Sequence, residues 1–123
     1  MNLAKTVLIV DDIYINRRVL VKSLQNAGYD VLEAENGKQA IELLKNYDVF
    51  CVLLDIEMPV MNGIETLHYI RSQMPKPKSE VKVFAITAYN NSTIHDYLDF
   101  SDFDGMITKP FSIQQIEKLL SQT

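Results

Sequence analysis

Val49-Phe50-Cys51-Val52-Leu53-Leu54 is the longest apolar run in the chain, and it stops on a carboxylate, Asp55. An unbroken run of that length, without polar alternation, predicts a strand covered on both faces. Val7-Leu8-Ile9-Val10 has the same character and stops on Asp11-Asp12. The segment 81–86 is a third such strand and stops on Thr87. Met106-Ile107-Thr108 is a shorter one and stops on Lys109. The remaining strand, 30–34, is more polar and reads as an edge.

Helical spacing fills the intervals. Val19, Leu20, Leu24 and Ala27 form a stripe over 14–27, with Gly28 placed as a C-terminal cap. Ala40, Ile41 and Leu44 mark a helix over 36–46, and Ile64, Leu67 and Ile70 one over 64–73. The segment 74–79 carries two prolines and reads as a loop. A short helix is expected over 90–100. A last one is expected over 112–121, with Ser112 as its N-cap and Ile113, Ile116, Leu119 and Leu120 apolar. The order is strand then helix, five times. That predicts an α/β fold, a doubly wound (βα)5 unit with five parallel strands and helices on both faces.

The 123 residues suit a single domain, 1–123, with no output domain after the last helix. A hydrophobic fraction of 47% supports a packed core rather than disorder. The net charge of −4 argues against direct nucleic-acid binding, which needs a basic footprint. A single cysteine, no signal peptide and no membrane-length apolar run lead to the expectation of a cytoplasmic protein without membrane insertion.

In a sheet of this kind, chemistry gathers beyond the C-terminal strand ends. Asp11, Asp12, Asp55, Thr87 and Lys109 all fall there; Glu33 and Glu35, at the end of the edge strand, are left out of the cluster. Each has an ordinary explanation alone: helix capping for the Asp pair, a strand-end hydroxyl for Thr87, a solvated lysine for Lys109. Together they crowd three carboxylates, which repel unless a cation neutralises them. Lys109 supplies one positive charge and a divalent metal would supply the rest. All the donors are hard oxygens, without Cys or His, which selects Mg²⁺ or Mn²⁺ over zinc. An aspartate beside such a metal is able to accept a phosphoryl group covalently. No glycine-rich phosphate loop is present, so ATP is not the expected donor.

Four motifs in order, Val10-Asp11-Asp12, Leu54-Asp55-Ile56-Glu57-Met58-Pro59 with Met61 and Gly63, Ile86-Thr87-Ala88 and Lys109-Pro110-Phe111, resemble the receiver domain of two-component response regulators. The resemblance covers essentially the whole chain. It implies the flavodoxin-like strand order 2-1-3-4-5. It implies that Asp55 is the phosphoacceptor, loaded from a phosphohistidine of a sensor histidine kinase or histidine phosphotransfer domain. Mg²⁺ would be held by Asp12 directly, Asp11 mainly through water, Asp55, and the backbone carbonyl of Glu57. Lys109 would pair with the phosphoryl group, Thr87 would move toward it, and the Lys109–Pro110 peptide would be cis. The face built from helix 90–100, strand 106–108 and helix 112–121 would then change and meet a downstream protein target, with Tyr97 and Met106 as candidates. The family usually has an aromatic residue three positions before the lysine, where Met106 stands here. Asn16-Arg17 after the Asp pair resembles receivers fused to hybrid histidine kinases. Such a domain assists its own phosphorylation and dephosphorylation but is not otherwise an enzyme. The competing readings are an aspartyl-nucleophile phosphatase, which would need an aspartate where Glu57 stands, and a receiver used only as a scaffold.

Overall fold

The computed structural model describes residues 5–58, 60–87 and 102–121. Five strands, β1 (Thr6–Val10), β2 (Asp30–Ala34), β3 (Cys51–Asp55), β4 (Lys82–Thr87) and β5 (Gly105–Thr108), form one parallel sheet in the order β2-β1-β3-β4-β5. The helices α1 (Tyr14–Asn26), α2 (Gly37–Asn46), α3 (Gly63–Gln73) and the C-terminal helix (Ile113–Ser121) connect or follow them. Both the expected architecture and the expected order are present. The expected helix over 90–100 lies outside the described residues.

Successive side chains of a strand point to opposite faces, and two cores result. Leu8, Val10, Val52 and Leu54 pack with Ala40 and Leu44 of α2 and Leu67 and Ile70 of α3. Val7, Ile9, Cys51 and Leu53 pack with Leu20, Val21 and Leu24 of α1 and Ile116 and Leu120 of the C-terminal helix. Cys51 is buried there, which pushes its thiol up to about 12 and leaves it a small core hydrophobe.

Three expectations need correction. Val19 is 61% exposed, and the buried stripe of α1 is Arg17, Leu20, Val21 and Leu24. The helix is therefore rotated so that the Arg17 guanidinium, not Val19, joins Leu20, Val21 and Leu24 against the sheet. Regular β3 starts at Cys51 rather than Val49, although Phe50 N already donates to the Thr6 carbonyl at 2.7 Å. Within the proline-bearing segment, Lys78–Glu80 forms a turn of 3-10 helix. Gly28 takes φ +98° just past the α1 cap, a conformation that costs glycine nothing.

Candidate functional site

The parallel register builds the site. Val10 pairs with Leu54, so Asp11 leaves β1 level with Asp55 at the end of β3. Thr87 pairs with Thr108, and Lys109 N donates to the Thr87 carbonyl at 2.7 Å, so the lysine leaves β5 at the same height. This is the crevice where the strand order reverses, between β1 and its neighbours.

Asp11, Asp55 and Thr87 are buried, while Asp12 is exposed. Lys109 Nζ lies 3.4 Å from Asp55 Oδ2 and 3.8 Å from Asp11 Oδ2. Asp55 Oδ1 accepts from Glu57 N at 3.0 Å, and Asp11 Oδ1 accepts from Ile13 N at 2.9 Å. The Lys109–Pro110 peptide is cis, in line with the expectation. Burial pushes the Asp55 carboxyl up to about 6; the Glu57 amide and the Lys109 ammonium oppose the rise, and Asp11 adds to it.

Oxygens of Asp11, Asp12 and Asp55 all lie within 4.8 Å of one another. Opposite ligands of an octahedral Mg²⁺ are about 4.2 Å apart, so a small closure lets this hard-oxygen trio share one ion, with water in the remaining positions. Among the described residues, Lys109 pairs with Asp11 and Asp55 while three carboxylates cluster there, and the charge balance favours such an ion.

The loop from Asp55 to α3 is tightly held. Gly63 N donates to the Ile56 carbonyl at 2.9 Å. A methyl group on Gly63 would lie 2.7 Å from the Asp55 carbonyl oxygen, so no side chain fits. Asn62 and Glu65 form a reciprocal capping box at the start of α3. Val60, exposed in the same loop, has φ +70°, a left-handed conformation that disfavours a β-branched residue.

The response regulator receiver domain profile matches residues 7–121. The chain belongs to this family. As a receiver domain of two-component systems it has relatives among hybrid histidine kinases. It is 38% identical over 109 residues to a cyclic di-GMP phosphodiesterase of Thermotoga maritima, covering 89% of this chain and 28% of that protein. It is 30% identical to the autoinducer 1 sensor kinase/phosphatase LuxN of Vibrio campbellii, covering 97% of this chain and 13% of that one. The receiver domain thus spans less than a third of either relative. Among solved structures, the response regulator TrrA of Thermotoga maritima, in complex with Mg²⁺ and BeF, is 32% identical. It superposes with a TM-score of 0.82, covering 96% of this chain and 97% of that one.

All five sequence-derived candidates of this receiver domain, Asp11, Asp12, Asp55, Thr87 and Lys109, stand at the C-terminal edge of the sheet. Glu57 is exposed beside them. Glu33 and Glu35 stand apart, within reach of Arg17. Sequence reasoning missed Arg17, which is buried and donates from Nη1 to the Asp11 carbonyl at 2.8 Å. Its signal was available: positions 17, 20, 21 and 24 complete a helical stripe in which only the first is charged.

Proposed function

We propose that this chain is a phosphoacceptor switch of a two-component phosphorelay. An Asp55 carboxylate oxygen attacks the phosphorus of a phosphohistidine on a sensor histidine kinase or histidine phosphotransfer domain. The P–O bond forms as the P–N bond breaks, and the imidazole nitrogen keeps the electron pair. Asp11, Asp12, Asp55 and the Glu57 carbonyl would hold Mg²⁺, with Mn²⁺ as a substitute. The metal, when bound, offsets charge on the phosphoryl oxygens. Lys109 pairs with the same group, and Thr87 donates to it. The surface of helix 90–100, β5 and the C-terminal helix then changes to meet a downstream protein target. The observation that carries this reading is a buried Asp55 with an ammonium 3.4 Å away and two further carboxylates beside it.

A cleft of about 430 Å³ beside Asp11 and Lys109, floored by Val19, Pro110 and Phe111, supports docking of the donor. Exposed Ile13, Tyr14 and Ile15 lie in the chain between Asp11 and Asn16, both of which line it, an apolar segment near the place where a phosphohistidine must arrive. No helix among the described residues is long and apolar enough to cross a membrane. We read the protein as cytoplasmic, as the resemblance implies. We read it as one receiver domain that does not bind nucleic acid and is not otherwise an enzyme. Its 13% share of a sensor kinase's length favours a second reading, a relay receiver belonging to a hybrid kinase.

Acetyl phosphate with Mg²⁺ tests the proposal by intact mass. A single phosphoryl adduct, lost in Asp55→Asn, is expected. Steady turnover of the donor would instead support a phosphatase, and no adduct would leave only a scaffold.

A further inference from the structure

Arg17 is a charge inside the core. Its side chain is 7% exposed, in a stripe it shares with Leu20, Val21 and Leu24. A buried charge costs stability unless it is well paired, and an apolar side chain fits such a stripe without that cost. The guanidinium therefore has to be explained by what it holds. Nε lies 3.0 Å from Glu33 Oε1 on β2, and Arg18 Nη1 holds the other oxygen of the same carboxylate. Nη1 donates to the Asp11 carbonyl at 2.8 Å.

That carbonyl belongs to the peptide joining Asp11 to Asp12. Asp11 N donates to the Ala34 carbonyl, and its Oδ1 accepts from Ile13 N. With the guanidinium on the carbonyl, Asp11 is fixed at three points, and its Oδ2 is left facing Lys109 and the other carboxylates. We propose that Arg17, braced by Glu33, is a positioning residue that locks the Asp11–Asp12 peptide so that both carboxylates meet one metal ion together with Asp55. Outer partners that orient metal ligands raise affinity by removing the freedom the ligands would otherwise lose on binding. The inference rests on the reading of the acidic trio as a Mg²⁺ site.

Mg²⁺ titrations followed by amide NMR shifts test it on four proteins: wild type, Arg17→Lys, Glu33→Gln and Arg18→Gln. Lysine keeps the charge but lacks the planar fork that reaches two acceptors at once. Folded Arg17→Lys should bind Mg²⁺ about tenfold more weakly, with its Asp12 amide resonance displaced before any metal is added. Glu33→Gln should weaken binding by a smaller factor. Arg18→Gln, which removes a charge from the same carboxylate without touching Asp11, should bind as wild type does. Wild-type affinity in folded Arg17→Lys overturns the proposal. If that variant does not fold, wild-type affinity in Glu33→Gln overturns it. Equal losses in Arg18→Gln and Glu33→Gln overturn it as well, since charge balance would then be the cause. A wild type that ignores millimolar Mg²⁺ would sink the metal reading itself, a different result from a variant that binds normally.

Discussion

Asp55 is buried at the end of β3 with one full cation in reach among the described residues, and burial is the main reason its proton is held so tightly. Its affinity for that proton rises from 3.8 to about 6 on folding. At about 1.4 kcal/mol for each pH unit, that corresponds to about 3 kcal/mol. The carboxyl is neutral in both states below 3.8, so its contribution is fully present there. It is lost as pH rises through about 6, where the folded protein has to give up a proton that the unfolded chain has already released. Metal-free Asp55→Asn should therefore match the wild type near pH 4 and exceed it by up to about 3 kcal/mol above pH 7. Urea unfolding in chelator across that range measures the gap, and a gap independent of pH would refute the assigned cause. The site aspartates and Lys109 were legible because each ends an apolar strand, where a charge needs a reason. Of Arg17 only the place in the α1 stripe was legible; one sequence does not say which distant carboxylate a helical arginine will meet, and Glu33 reaches it only after β2 pairs with β1.

Elements place these residues, and glycine sets the tolerance at one of them. Gly63 begins α3 with its Cα pressed on the Asp55–Ile56 backbone. Gly63→Ala puts a methyl group 2.7 Å from the Asp55 carbonyl oxygen and from Ile56 Cα, neither of which is a side chain that can swing away. Overpacking of this kind costs about 1–3 kcal/mol, and the loop carrying Asp55 and Glu57 has to move. Thermal melts should show the loss of stability, and the initial rate of labelling by acetyl phosphate should fall more than tenfold. A folded variant that labels at the wild-type rate would show that the loop absorbs the methyl group harmlessly. The sequence displayed the strands well, since runs of β-branched and apolar residues are local signals. It misjudged the rotation of α1, because Val19 and Arg17, about 200° apart on nearly opposite sides, each complete a stripe with Leu20 and Leu24, and burial of the arginine is decided by its partners. The capping box of Asn62 and Glu65 was readable at the right spacing and went unused.

At the scale of the whole molecule, the acidic site and the apolar rim lie side by side on one end of the sheet. The rim residues Ile13, Tyr14, Ile15 and Val19 add little to the cores, so their chemistry is open to change without unfolding the chain. Ile15→Glu should leave labelling by acetyl phosphate and the melting temperature unchanged. Labelling by a phosphorylated histidine phosphotransfer domain that serves the wild type should slow at least tenfold, because a charge would be forced into the docking interface. Equal rates from the protein donor would assign docking to another face. The order of the strands carries a consequence for the protein during its own synthesis. Asp11 and Asp55 come from β1 and β3, whereas Lys109 follows β5, the last of the five strands to leave the ribosome. A chain made only as far as β4 holds the negative charges of Asp11 and Asp55 without the Lys109 ammonium that pairs with them. Topology alone thereby makes the acidic edge of the sheet wait, through four strands, for the charge that answers it.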